Sequence, residues 1–319
     1  MIIVHKSFNE LFSLDNLLNV WRIFRRGKTK KADVQAFERH LEDNLFDLYE
    51  ELTVGQYKHR AYKFFSVFDS KKRDIHVAEI RDRIVHRLIF DHLVKIYEPL
   101  FISNSYSSRI GKGSHRAVKT FQYFAKIIQA ENHGRCLVLK CDIKKYFGSV
   151  NGDILTMLLK EKVTDEKTFK TVKEIIDSFP VGIPLGNVTS QTFANIYLHD
   201  FDLFVKNTLK VRFYVRYNDD FVILDNNSKR LAEYLRKIRD YLVINRLLEI
   251  PEHKADIRKL EWGIDFLGYT ILPNAVLLRG KTKAKMFANV CEENISSYFG
   301  LLSHCNSFNL RQKLKSVII

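Results

Sequence analysis

The stretch Val211-Arg212-Phe213-Tyr214-Val215-Arg216-Tyr217-Asn218-Asp219-Asp220-Phe221-Val222-Ile223-Leu224 sets two β-prone apolar runs, Val211–Val215 and Phe221–Leu224, around Tyr217-Asn218-Asp219-Asp220. Asn and Asp tolerate the backbone of a tight turn, so the spacing reads as a hairpin. The same tetrapeptide has a second reading. Two adjacent carboxylates repel one another and are hard to keep ionised without a cation. A third acid, Asp142, closes another apolar strand-like run, Cys136–Cys141. If that strand pairs with the hairpin, Asp142, Asp219 and Asp220 converge, and such hard oxygen ligands suit a pair of Mg²⁺ ions and phosphoryl transfer. On the tetrapeptide alone, turn chemistry and a metal site stand level.

Working outward, residues 1–60 read as helical, with a basic cluster from Arg25 to Lys31. A hairpin follows over 61–75, Tyr62–Phe68 returning through Asp69–Arg73. Next comes an amphipathic helix with Val77, Ile80, Ile84 and Leu88 on one face, ending near Glu98-Pro99. Arg109-Ile110-Gly111-Lys112-Gly113 is a loop, and 114–131 a helix. The Cys136–Asp142 strand leads to a helical region over 151–178. The rigid, turn-rich loop Pro180–Gly186 feeds a long helix from about Ser190 to Thr208. After the 211–224 hairpin, Ser228 reads as the N-cap of a helix with Leu231, Leu235, Ile238 and Leu242 on one face. A final hairpin over 256–280 precedes a helical C-terminal region, basic at its start. The order strand, helix, helix, hairpin, helix, strand predicts an α+β fold, an antiparallel sheet with helices packed on one face.

The 319 residues exceed one ordinary domain core. With only five Pro and 13 Gly and no Pro- or Ser-rich linker, one multi-lobed body is expected. Lys and Arg number 52 against 37 Asp and Glu, a net charge of +15 that calls for a polyanionic partner. A membrane is not expected to be that partner: no basic amphipathic helix stands out, and no apolar run approaches the roughly 20 residues that span a bilayer. Met1–Asn9 lacks the apolar core of a signal peptide. Cys136, Cys141, Cys291 and Cys305 form no C-x-x-C pair and read as reduced, mostly buried thiols of a cytoplasmic protein. The 11 histidines show no metal-ligand spacing.

Five residues after Asp142 stands Phe147. An aromatic ring there could lie under the sugar of an incoming nucleotide and clash with a 2′-hydroxyl; taken alone, the residue reads first as core, as most aromatics do. Asp142…Phe147 together with Tyr217-Asn218-Asp219-Asp220 resembles motifs A and C of reverse transcriptases. Arg81–His86 resembles the first conserved block of intron-type and bacterial members, Ser105–Gly113 the second, and Lys254 with Gly263–Tyr269 the sixth and seventh. The fourth block reads Leu185-Gly186-Asn187-Val188-Thr189-Ser190-Gln191. Intron-encoded enzymes typically have Gln before the Gly and Pro after the Ser. An aliphatic residue and Gln at these positions resemble the reverse transcriptases of diversity-generating retroelements. Those enzymes copy a template-repeat RNA into cDNA, misincorporate opposite adenines, and so diversify a target gene. Asn218 departs from the pattern, where Ala, Met or Val is more usual.

The resemblance implies a right-hand polymerase: an N-terminal helical extension (1–60), fingers (61–134), a palm (135–275, with a fingers insertion about 151–185) and a short helical thumb (276–319). It implies two Mg²⁺ ions, with Mn²⁺ able to substitute, on Asp142, Ile143, Asp219 and Asp220. Lys71, Arg73, Phe147, Leu185, Gly186 and Gln191 would bind the nucleotide, and Arg suits the triphosphate because its planar fork matches phosphate oxygens. Tyr217, Lys254, Gly268, Arg109 and Lys112 would bind primer and template. The implied partners are template RNA, cDNA primer, dNTPs and an oligomeric accessory variability protein, and the implied setting is the cytoplasm, for a protein encoded by a bacterium, an archaeon or a phage. A retron, abortive-infection or group II intron-type enzyme is the alternative of the same fold, and a non-catalytic RNA-binding protein on a polymerase scaffold is the alternative of another class.

Overall fold

The computed structural model describes residues 7–68 and 72–316, which divide into two compact units. The first comprises residues up to 102, 145–201 and 242–248. Its chain begins with helices Phe8–Leu11, Leu14–Phe24, Ala32–Arg39 and Leu41–Thr53, as the first 60 residues predict. Ser7 and Glu10 form a capping box on the first of these, which satisfies backbone N–H groups with no partner inside the helix. Strands β1 (Lys63–Phe68) and β2 (Lys72–Val77) then pair antiparallel, with Phe68 opposite Lys72. Arg73 therefore lies within β2, opposite Val67, and not in the turn. The turn residues 69–71, Lys71 among them, lie outside the described residues.

Val77 ends β2 and is not part of the following helix, Ile80–Tyr97. That helix buries Ile80, Ile84 and Leu88 as its periodicity predicts, but also Arg81, Asp82, His86 and His92. It is a central helix whose buried polar side chains find partners in other elements, Arg81 Nε excepted. Arg81 Nη1 donates to Glu51 Oε1 at 2.9 Å, and Asp82 accepts from the Tyr57 hydroxyl at 2.9 Å. Periodicity reads such charges as solvent-facing because their partners are remote in sequence. The helix stops just before Pro99, whose ring and missing N–H prevent continuation. The long helix expected from Ser190 to Thr208 is three pieces, Val188–Tyr197, His199–Leu203 and a π turn Phe204–Thr208.

The second unit comprises 103–144, 202–241 and 249 onward. Strands β3 (Leu137–Asp142), β4 (Phe213–Tyr217), β5 (Asp220–Asp225) and β6 (Ala255–Lys259) form an antiparallel sheet in the order β4-β5-β3-β6. The expected hairpin over 256–280 is not one. Its first strand, β6, joins β3. Gly263, at φ +77°, then redirects the chain into a separate three-stranded sheet, β7 (Ile264–Phe266), β8 (Tyr269–Ile271) and β9 (Val276–Leu278).

One face of the main sheet, carrying Val138, Val215, Val222 and Leu224, packs against Ala117, Phe121 and Ala125 of helix Ser114–Glu131. The α+β reading holds. Burial extends it, because Phe213–Val215 and Phe221–Leu224 are buried at every position and both faces are covered. Helix Ser228–Arg246 is capped by Asn227 and not by Ser228: Asn227 Oδ1 accepts from the backbone of Lys229 and Arg230 at 2.9 and 3.2 Å. The last helices are Gly280–Asn289, Ile295–Leu302 and Phe308–Ser316. Cys136 and Cys141 are buried, Cys305 is half-buried and Cys291 exposed, so half of the thiols are buried where most were expected. Among the described residues no helix is long and apolar enough to cross a membrane.

Candidate active site

Tyr217 ends β4 and Asp220 starts β5, so Asn218-Asp219 is a two-residue hairpin turn. Asn218 takes φ +59°, a conformation Asn accepts more readily than most side chains. Turn chemistry and acid cluster are therefore one object. Residue pairing places Asp142 of β3 directly opposite Asp220, and Ile143 N donates to Asp219 O at 3.2 Å. The three acids come together on one end of the sheet because the apolar runs behind them register in the core.

The cluster's electrostatics follow from burial. Desolvation pushes the Asp220 carboxyl up to about 7; Lys140 opposes this, and the charges of Asp142 and Asp219 add to it. Asp219 is also raised, first by burial and then by Asp142, with Lys254 and the Asn218 side chain opposing. Lys254 Nζ donates to Asp142 Oδ1 and lies 3.4 Å from Ile143 O. Lys140 Nζ lies 3.8 Å from Asp220 Oδ2 and donates to Asp265 O at 2.6 Å. Asp220 Oδ1 is buried with no hydrogen-bond partner.

Among the described residues no three His, Cys, Asp or Glu side chains stand as a ready ligand set. In this arrangement Lys254 and Lys140 supply the counter-charge. The donors nonetheless suit a hard divalent cation. They are all oxygens, one has no partner, and two belong to carboxyls whose ionised form is disfavoured until positive charge arrives. Asp142, Asp219, Asp220 and the Ile143 carbonyl are the groups that would hold such an ion, with Lys254 released from Asp142.

The residues expected at the nucleotide belong to the first unit. Arg73 is exposed on β2. His76 N donates to Leu185 O at 2.8 Å, and the Asn187 side chain bridges His76 O and Ala78 N at 3.0 and 3.3 Å. The loop carrying Leu185 and Gly186 is thus tied to the strand carrying Arg73. At Gly186, φ is +116° and a Cβ would stand 2.8 Å from His76 O, so only glycine fits. The other end of this loop rests on Phe147, whose carbonyl accepts from Ile183 N at 2.8 Å. Phe147 itself is half-buried on a single helical turn, Tyr146–Ser149, and is not a core residue. Gln191 is exposed in the first turn of helix Val188–Tyr197.

Of the residues expected at primer and template, Tyr217 is half-buried at the end of β4. Gly268, at φ +89°, lies in the β7–β8 turn. Arg109 and Lys112 donate to carbonyls of their own loop, Ser105 O at 2.9 Å and Ser103 O at 2.7 Å. Lys254 sits in the acid cluster. Sequence reasoning missed Lys140, and it missed Arg216 and Asp202, a fully buried ion pair. The available signal was a charge inside the apolar run of β4.

Residues 59–271 match the family described as reverse transcriptase (RNA-dependent DNA polymerase). An uncharacterized 91 kDa protein in the cob intron of Schizosaccharomyces pombe is 31% identical over 146 residues, 43% of this chain and 17% of that protein. The group II intron-encoded protein LtrA of Lactococcus lactis is 26% identical over 236 residues, 69% of this chain and 38% of that protein. The chain therefore spans well under two thirds of the length of either relative. Apo telomerase from Candida tropicalis, truncated from its C-terminal domain, shares the fold with a TM-score of 0.54 at 13% identity, over 70% of this chain and 55% of that one.

Proposed function

The chain belongs to the reverse transcriptase (RNA-dependent DNA polymerase) family, and from that membership we propose that it is an RNA-directed DNA polymerase acting through Asp142, Asp219 and Asp220. The observation that carries this reading is the strand pairing that sets Asp142 opposite Asp220, with Asp219 in the turn beside them. Reverse transcriptases generally use divalent metal ions. Mg²⁺ or Mn²⁺ held by these acids and the Ile143 carbonyl would supply activation of the attacking 3′-hydroxyl and charge stabilisation at the leaving pyrophosphate. Arg73 offers a planar fork for the triphosphate, and Phe147 a ring for the sugar. Leu185, Gly186 and Gln191 form the candidate surface for the nascent base pair. Tyr217, Gly268, Lys254, Arg109 and Lys112 are the candidates for primer and template, within fingers, palm and thumb divided as the sequence suggests.

The finer reading is an enzyme of a diversity-generating retroelement, copying a template-repeat RNA with errors at adenines and working with an accessory variability protein in the cytoplasm. Leu185-Gly186 and the exposed Gln191 support it. A group II intron-type enzyme is the second reading, favoured by the identity to the intron-encoded LtrA.

Primer extension on an RNA template with dNTPs and Mg²⁺ tests the activity. Asp219→Asn is expected to lower the rate by roughly 10³-fold or more, since several kcal/mol of charge stabilisation pass through that ligand. Robust extension by the variant would remove Asp219 from the chemistry. Sequencing the cDNA tests the finer reading. Errors concentrated opposite template adenines are expected; an even spread over the four bases returns the chain to the intron-type reading.

A further inference from the structure

Arg216 is the one charged residue in β4 and is 0% exposed, as are Asp202 and Ser105. Its guanidinium is shared between three elements. Nε and Nη2 donate to the two carboxylate oxygens of Asp202 at 2.7 and 2.5 Å. Nη2 also donates to Ser105 Oγ at 3.1 Å, and Nη1 donates to Asn218 O at 3.0 Å. The backbone of Arg216 is held as well: its N donates to Asn104 O at 3.0 Å and its carbonyl accepts from Tyr106 N at 2.9 Å. Asp202 in turn accepts from the Tyr214 hydroxyl at 2.8 Å, so the pair is hydrogen-bonded on every side.

The contact with Asn218 O sets this pair apart from an ordinary buried ion pair. That carbonyl belongs to the peptide leading into Asp219. The next carbonyl, of Asp219 itself, accepts from Ile143 N, the residue after Asp142. Two consecutive carbonyls of the turn are thus pinned, one by a buried guanidinium and one by the strand bearing the opposing acid. Between them Asn218 is kept at positive φ. A planar fork anchored at two nitrogens by Asp202 leaves the third little freedom, so the turn inherits its rigidity.

We propose that Arg216, oriented by Asp202 and Ser105, is a positioning residue that holds the Asn218–Asp219 turn in the conformation needed for the acid cluster to bind divalent cations. It touches neither substrate nor metal. The proposal rests on the reading of Asp142, Asp219 and Asp220 as a metal site.

The test is Mn²⁺ binding to the purified, nucleic-acid-free protein by isothermal titration calorimetry, alongside thermal melting. Arg216→Lys retains a charge for Asp202 but lacks the fork, and is expected to weaken Mn²⁺ binding about 10- to 100-fold, the usual effect of removing an outer support of a metal ligand. Asp202→Leu combined with Arg216→Met replaces the ion pair with apolar side chains, which often restores or raises stability. This double variant is expected to melt at or above the temperature of Arg216→Lys while its Mn²⁺ affinity stays low. Ser105→Ala, which keeps the ion pair, should show a smaller loss of affinity with little change in melting. Wild-type Mn²⁺ affinity in Arg216→Lys or in the double variant overturns the proposal, as does affinity that simply follows melting temperature across the set. A wild-type protein that binds no Mn²⁺ at millimolar concentration overturns the metal reading of the acids, and the positioning role with it.

Discussion

Phe147 is half-buried while its neighbour Tyr146 is buried and donates through its hydroxyl to Ala194 O. Tyr146 anchors the turn, so Phe147 is not needed for packing in the same way. If its ring lies against the nucleotide sugar, Phe147→Ala should lower the preference for dNTPs over the matching NTPs by roughly 10- to 100-fold, the range by which small steric changes alter discrimination. Single-nucleotide incorporation kinetics would show this, and an unchanged ratio would remove Phe147 from sugar discrimination. His86 makes a different prediction. It is buried, with Nδ1 2.5 Å from Thr189 Oγ1 and Nε2 3.0 Å from His59 Nε2. Burial, and then the nearby His59 and Arg83, hold it down to about 3 from an ordinary 6.5. Below 6.5 the unfolded chain takes up a proton that the folded chain refuses. Stability is therefore complete above that pH and is lost as pH falls towards 3, by an amount on the order of a few kcal/mol. Melting temperatures taken from about pH 7 down to pH 4 should fall accordingly, and His86→Gln should flatten the fall. The acids legible at this scale were those at a turn or a strand end, Asp142, Asp219 and Asp220. The buried Arg216, Asp202 and His86 were not, because a buried polar group is recognised only by its partner.

At the scale of elements, the Pro180–Gly186 loop matters most. Gly182 takes φ +75°, and a Cβ there would stand 2.3 Å from Phe147 O and 2.6 Å from Gly148 Cα. Backbone cannot yield as a flexible side chain can. Gly182→Ala should destabilise the protein by about 2 kcal/mol or more, combining positive-φ strain with a forced shift of the loop. Gly55→Ala is the control. Its φ is +74°, close to that of Gly182, but nothing lies within 4 Å of the added Cβ, so the effect should be near 1 kcal/mol. Denaturant midpoints compare the two directly, and equal losses would show that the docking of the loop on Phe147 contributes nothing. The β4–β5 hairpin was legible because its apolar runs flank a turn-forming pair. The region 256–280 was not, since choosing between a hairpin and a strand added to β3 depends on which edge is free. The helix Ile80–Tyr97 was placed but its burial was underread, because its charges find partners far along the chain.

For the whole molecule, the net charge of +15 makes a prediction independent of the catalytic acids. RNA affinity should fall by about 10³-fold or more between 50 and 200 mM salt, as expected when six or more phosphates are neutralised by Lys and Arg. Filter binding across that range would measure the slope, and a flat response would mean that phosphates are not what the basic surface recognises. What the sequence determined by itself was the set of parts. These are an α+β chain, a hairpin tipped by Asn218-Asp219, a strand ending in Asp142 and a basic surface. Each is written in neighbouring residues, as turn preference, run length or charge. What only the tertiary structure decided was the juxtaposition: Asp142 opposite Asp220 rather than one residue away, the lysines lying against those acids, the 180–186 loop strung between Phe147 and His76, and a buried Arg216 holding the turn. Strand register and buried pairing arise from side chains remote in sequence competing for one core, and no local stretch contains that information.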